Sequence, residues 1–181
     1  MPGHYEVRLS GSGGQGLLML GDILAEAAGN CENKELVLTK SYGPESRGGL
    51  CRSELIIDVI PINYPQVTQP NFVLALTQAS CDKYHQDMHP EGILLIDPMF
   101  VRVIPEKIKN VYSISLTEIA KTTTGKEIAA NVAAAGAISV LGKFIEVDSI
   151  RQALRKLFAK PLHESNEKAF NAGVEAAKAL L

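Results

Sequence analysis

The sequence predicts a three-layer α/β fold with a mixed, mainly parallel sheet and a helical C-terminal third. Three observations carry that prediction. Two continuous apolar runs of strand length, Phe72-Val73-Leu74-Ala75-Leu76 and Ile93-Leu94-Leu95-Ile96, have the pattern of strands buried on both faces. Helical stretches fall between and after the strand candidates, and such alternation builds a parallel sheet. The last third is rich in alanine and reads as helix over residues 128–145, 149–158 and 166–180.

In chain order, residues 5–9 alternate polar and apolar as a strand does, then meet a glycine-rich turn at residues 11–16. Residues 17–28 follow with Leu17, Leu20, Leu24, Ala27 and Ala28 at helical spacing, and Gly29-Asn30 supplies a stop signal. Residues 35–39 form a short strand candidate. A loop over residues 41–49 holds three glycines and a proline, and residues 53–60 return as a strand that Pro61 and Pro65 curtail. The back-to-back strands around that loop imply that one of them runs antiparallel. Residues 78–88 are helical, Asp97-Pro98 ends the second buried run, and residues 111–116 and 116–121 give a further strand and helix. Helix 128–145 is apolar on nearly every face, so it is buried either under its own domain or beneath a partner. The terminal helix carries a stripe of Phe170, Val174, Ala177 and Leu181. No linker or internal repeat divides residues 1–181, which predicts one domain.

Composition narrows the function. A net charge of −2 over 181 residues gives no general pull toward nucleic acid or an anionic membrane. The stretch free of charge, residues 128–142, is shorter than a membrane span, and the N-terminus has no signal-peptide pattern. Cys31, Cys51 and Cys81 are widely separated, without a CxxC, which disfavours a cluster or structural zinc and fits a reducing, cytoplasmic compartment. His4, His85, His89 and His163 show no metal-binding spacing, so no metal site is predicted.

Gly11-Ser12-Gly13-Gly14-Gln15-Gly16 matches G-x-G-x-x-G between a strand and a helix, as in a Rossmann-like phosphate site. Glycines let a phosphate approach the backbone, and the helix N-terminus offers unpaired N–H groups. Ser12 and Gln15 can add side-chain hydrogen bonds. A dinucleotide site also expects an acidic residue at the end of the second strand. Here that strand ends at Lys40, with Glu35 at its start, so a phosphate-bearing ligand other than NAD is favoured. A tight turn with no ligand is the alternative, and a Walker A loop is absent because Gly125-Lys126 leads into Glu127.

The second distinctive segment is Ser41-Tyr42-Gly43-Pro44-Glu45-Ser46-Arg47-Gly48-Gly49. It is expected at the same sheet edge as the glycine turn. Arg47 can clamp a carboxylate or phosphate and Glu45 can orient it, or the two can form an ion pair within the loop. Asp97-Pro98 either reaches the same crevice or simply starts a turn.

Taken together, these two segments resemble the gamma subunit of 2-oxoacid:ferredoxin oxidoreductases. Ser53-Glu54-Leu55-Ile56-Ile57, Tyr64-Pro65 and Leu76-Thr77-Gln78 extend the resemblance over roughly residues 6–144. The resemblance implies one gamma-subunit domain of the pyruvate/ketoisovalerate oxidoreductase catalytic-domain type over residues 1–181. It implies a complex that converts a 2-oxoacid and coenzyme A into acyl-CoA, carbon dioxide and reduced ferredoxin. Thiamine diphosphate and iron–sulfur clusters would sit on partner subunits, since Gly21-Asp22 leads into Ile23 rather than a Gly-Asp-Gly motif and no cysteine quartet exists. The chain would then be inactive alone. Its implied share is to help bind coenzyme A, through Gly11, Ser12, Gly13, Gly14, Gln15 and Gly16. Asn131 joins this set from the matching Asn-x-x-x-x-Gly136-Ala137 stretch, or is an ordinary cap or buried amide. Tyr42, Gly43, Pro44, Glu45, Arg47, Gly48 and Gly49 would border the cleft or a subunit junction. No catalytic residue is assigned.

The loop spelling favours 2-oxoglutarate, with pyruvate, branched-chain oxoacids such as ketoisovalerate, and indolepyruvate left open. A freestanding nucleotide-binding oxidoreductase and a purely structural assembly subunit are the rival readings. Implied partners are the thiamine-binding and ferredoxin-like subunits and ferredoxin itself. The partner-facing surface is expected at the alanine-rich helix and the second loop, and the isolated chain is expected to self-associate.

Overall fold

Six strands form one sheet in the order β2-β3-β1-β4-β5-β6. They are β1 (Tyr5–Ser12), β2 (Glu35–Tyr42), β3 (Leu50–Asp58), β4 (Phe72–Ala75), β5 (Ile93–Ile96) and β6 (Asn110–Ser113). The chain is represented by a computed structural model that describes residues 3–42 and 49–181. Strand β3 is antiparallel to both β1 and β2, while β1, β4, β5 and β6 run parallel, so the sheet is mixed as the sequence predicts.

Pairing extends the first strands beyond their alternation pattern. Gly11 and Ser12 of β1 pair with Cys51 and Leu50, and Ser41 and Tyr42 of β2 pair with Arg52 and Cys51. Backbone hydrogen bonds are satisfied by a neighbouring strand whatever the side chain, so glycine and serine stay in the ladder.

The two sheet faces differ. Val7, Leu9, Phe72, Leu74 and Leu95 join the main core with α1 (Leu17–Ala25), α3 (Leu116–Thr124), α4 (Ala130–Gly142), α5 (Val147–Leu157) and α6 (His163–Lys178). On the other face Val73, Ala75, Leu94 and Ile96 pack with α2 (Gln78–Tyr84). Thr77 starts α2 with a reciprocal capping pair to Ser80. The charged end of this second face is held by Arg8 Nε donating to Glu54 Oε1 at 2.6 Å across the β1–β3 register, with the Tyr84 ring 4.9 Å from the guanidinium.

Three expectations need correction. Gly29-Asn30 does not stop the first helix. The chain continues as a π-helical turn over Glu26–Cys31, and Asn33 at φ 53° marks the exit. Buried Ala27 and Ala28 hold this turn to the core, and the Glu32 N–H reaches the Ala27 carbonyl at 3.2 Å. The alanine-rich helix α4 is buried along most of its length by its own chain, not by a partner. It is covered by α6, and the two backbones approach so closely that a Cβ on Gly136 would overlap the Phe170 carbonyl oxygen and one on Gly173 the Ala133 carbonyl oxygen. Of the terminal stripe, Phe170, Val174 and Ala177 are buried, whereas Leu181 lies beyond the helix and is exposed. Burial of Phe170 alone is worth about 2–3 kcal/mol. Among the described residues no helix is long and apolar enough to cross a membrane.

Candidate functional site

From β1 the chain crosses by α1 to β2 on one side of the sheet, while β4 leads to β5 on the other side. The carboxyl ends of β1 and β4 therefore flank a topological switch point, where open α/β sheets form their ligand crevice. The glycine turn occupies that crevice.

Gln15 folds back beneath the turn. Its Oε1 accepts from the Ser12 N–H at 2.8 Å, and its Nε2 donates to the Leu76 carbonyl at 3.0 Å. The side chain thus ties the end of β1 to the end of β4 and braces the loop. Gly16 is the N-cap of α1 in left-handed conformation, φ 75°, and no side chain caps the helix. Its carbonyl accepts from the Leu20 N–H at 2.9 Å and from Asn131 Nδ2 at 3.3 Å. Asn131, buried at the start of α4, is therefore brought to the turn by tertiary packing and anchors its last glycine. Among the described residues the N–H groups of Gly13, Gly14, Gly16, Leu17 and Leu18 meet no protein acceptor.

The four glycines have different reasons for being there. A Cβ on Gly11 would overlap Gln15 Oε1, and one on Gly16 would lie 2.6 Å from Asn131 Nδ2. Gly14 needs its φ of 94°. Gly13 has a normal φ, and a Cβ placed on it would meet nothing within 4 Å among the described residues, so none of these neighbours requires a glycine.

Beside the turn lies a cleft of about 140 Å³ lined by Gly14, Gln15, Leu76, Phe100, Thr117 and Glu127, among others. Among the described residues its one charged lining side chain is Glu127, which pairs with Lys121 at 3.2 Å. An anion placed there would meet backbone N–H groups rather than a described cationic side chain. Asp97 is wholly buried and does not enter the cleft. Its carboxylate accepts from the Met99 N–H at 3.0 Å and the Thr117 N–H at 2.8 Å, which makes it a turn and helix-start anchor.

Tyr42 and Gly49 lie at the same sheet edge as the turn, because Cys51 pairs with both Gly11 and Tyr42. Tyr42 is 71% exposed. Gly43, Pro44, Glu45, Arg47 and Gly48 lie outside the described residues. Lys40 Nζ is engaged by Asp22 Oδ1 at 2.6 Å. Phe100, Thr117 and Glu127 are invisible as site residues in the sequence, since they come from the loop after β5, the start of α3 and the short turn before α4, and belong to no motif.

The cysteines do not fit a metal or cluster. All three are free, and among the described residues no group of three or more His, Cys, Asp or Glu could hold a metal ion. Burial pushes the Cys81 thiol up to about 11, with Asp82 adding to it, and burial also raises Cys51 and Cys31. Such thiols stay protonated and are poor ligands or nucleophiles.

Comparison with known proteins places this geometry. A family model described as pyruvate ferredoxin/flavodoxin oxidoreductase matches residues 6–176. The chain is 40% identical to the 2-oxoglutarate synthase subunit KorC of Methanocaldococcus jannaschii, over 97% of this chain and 95% of that one. It is 32% identical to the ketoisovalerate oxidoreductase subunit VorA of Methanothermobacter marburgensis, over 95% of this chain but only 36% of that one. Among solved structures, the keto/oxoacid ferredoxin oxidoreductase gamma subunit of Geobacter sulfurreducens superposes with a TM-score of 0.90 and 40% identity, covering 98% of both chains.

Proposed function

The chain belongs to the pyruvate ferredoxin/flavodoxin oxidoreductase family, among its gamma-type subunits, and from that premise we propose that it serves a complex that oxidatively decarboxylates a 2-oxoacid. The complex would use coenzyme A and ferredoxin, releasing acyl-CoA, carbon dioxide and reduced ferredoxin. The name of the relative from M. jannaschii favours 2-oxoglutarate as the acid, and that of VorA keeps ketoisovalerate as the alternative. Residues 1–181 act as one gamma-subunit domain. Thiamine diphosphate and iron–sulfur clusters, which supply the carbanion and electron-transfer chemistry when bound, belong on the partner subunits, since the cysteines here fit no cluster. Free thiols fit a cytoplasmic location.

The observation that carries the role of this chain is the glycine turn. Among the described residues it presents unpaired N–H groups at a switch point, and its Gly13 is demanded by no neighbour. In this reading Gly13, Gly14 and the start of α1 receive a phosphate of coenzyme A, Gln15 and Asn131 hold the turn in shape, and Ser12 lies alongside. The 140 Å³ cleft is too small for the whole coenzyme, so a partner subunit covers the rest. Countercharge comes from that subunit or from Arg47. The freestanding nucleotide-binding alternative lacks the acidic residue that a dinucleotide site expects near the end of the second strand, where Lys40, Ser41 and Tyr42 stand.

The test is reconstitution with the partner subunits and assay of ferredoxin reduction over a panel of 2-oxoacids. Gly13→Val should assemble normally and raise the KM for coenzyme A tenfold or more, with the KM for the 2-oxoacid unchanged. An assembled variant with wild-type coenzyme A kinetics would overturn the assignment of the turn.

A further inference from the structure

A second concavity, of about 490 Å³, opens on the other side of Gly16, where the ends of α1, α3, α4 and α6 meet. Its walls are mainly apolar, with Met19, Ala129, Val132, Phe158, Pro161 and Leu162 prominent. Thr124, Lys126, Asn131, Ser165 and Asn166 break that surface with polar groups. Asn166 is 92% buried by its 8% exposure, and among the described residues its buried Nδ2 has no hydrogen-bond partner. An unpaired buried amide donor is costly, so it marks a place where an acceptor is missing. Lys126 supplies the only charge among the lining residues.

Resting on the function proposed above, we propose that this groove seats an extended apolar segment of the partner subunit, with a backbone carbonyl on Asn166 Nδ2 and an acidic side chain beside Lys126. Three observations favour a protein segment over a small molecule. The apolar walls are open to solvent, with Met19, Ile128 and Leu162 of the lining 38%, 52% and 40% exposed. A packed chain covers such outward-facing walls more fully than a small molecule seated between them. Ile128 also lines the cleft beside the glycine turn, so the two concavities share a wall and a chain seated in one borders the other. Finally, VorA carries the matching region as only 36% of its length, so in that relative this fold is joined to a much larger stretch of chain. The segment would thereby close the coenzyme cleft that this subunit leaves open.

The experiment titrates the purified chain into the remaining subunits of the complex and reads assembly by sedimentation velocity. Asn166→Leu should leave the isolated chain equally or more stable, because it removes an unsatisfied polar group, yet weaken assembly roughly tenfold. Leu162→Glu should weaken assembly about a hundredfold with an unchanged circular dichroism spectrum, and Lys126→Glu should weaken it most at low salt. Leu180→Glu, on an exposed apolar residue at the C-terminus, should have no effect. A photo-crosslinker at position 162 should capture the partner subunit. Wild-type assembly by both Asn166→Leu and Leu162→Glu would overturn the groove assignment, as would crosslinking to a second copy of this chain. Failure of any other subunit to associate with the wild-type chain would instead overturn the functional reading beneath it.

Discussion

Gly173 and Gly13 are chemically identical and sit in opposite surroundings. Gly173 is pressed against the Ala133 carbonyl, where α4 and α6 meet backbone to backbone, whereas Gly13 is uncrowded by any described residue. Gly136 shares the first situation, and Gly16 stands between the two, with a positive φ on one side and Asn131 on the other. In the crowded case the neighbours explain why no side chain is tolerated. In the open case the described neighbours do not, and the proposed coenzyme A contact is placed there for that reason. The glycine with the least structural reason is therefore the most informative about function.

The comparison can be broken from its crowded end first. Gly173→Ala forces a methyl into the α4 backbone, which cannot yield as a side-chain tip would. The expected cost is about 3 kcal/mol, read as a fall of roughly 6–12 °C in Tm. A near-neutral result would mean that the two helices can separate freely. Gly16→Ala comes next. The left-handed φ and the displaced Asn131 amide together should cost about 2 kcal/mol, and Asn131→Ala should relieve part of it in a double-mutant cycle. Additivity of the two changes would sever the link between turn and helix. Gly13→Val should stay within about 0.5 kcal/mol of wild type in the isolated chain by urea titration, as for a surface substitution. A large loss would show a structural need where the fold leaves empty space.

The smallest effect lies away from both glycines and depends on pH. The Asp58 carboxylate accepts from His4 Nδ1 at 2.7 Å and from the Val59 and Ile60 N–H groups, and the His4 bond, followed by these backbone donors, holds its pKa below the usual aspartate value. A depressed folded-state pKa contributes stability above the unfolded value of about 3.9, lost as pH falls through the lower folded value. Asp58→Asn should thus cost up to about 1 kcal/mol at neutral pH and nearly nothing at the acid end. A difference that persists unchanged in acid would exclude the carboxylate as its source.

The strands and the turn are legible in the sequence because local rules specify them. Apolar runs at 72–76 and 93–96 have little alternative to a buried strand, and the G-x-G-x-x-G spacing fixes where the backbone must turn. The stop signal at Gly29-Asn30 misleads because tertiary burial of Ala27 and Ala28 outweighs a modest local preference. The burial of α4 is legible, but not what covers it, since helical periodicity records that a face is apolar and not what lies against it. Gln15 stands out as a polar residue in the turn, yet its bracing role requires the Leu76 carbonyl, which is brought near by the parallel pairing of β1 and β4.

By itself, then, the sequence determined the α/β class, the antiparallel intrusion among parallel strands, the position of the phosphate-type turn and the family resemblance. All of these are carried by residues close in the chain, where steric limits and periodicity act directly. Among the described residues, tertiary structure alone decided which glycine is uncrowded, that Asn131 anchors the turn, that Lys40 is spent on Asp22, and that an apolar groove with an unpaired amide lies beside Gly16. Each of those facts joins residues from distant parts of the chain. Such contacts depend on how whole helices and strands pack, and the energies that choose between packings are sums over many neighbours rather than properties of any one segment.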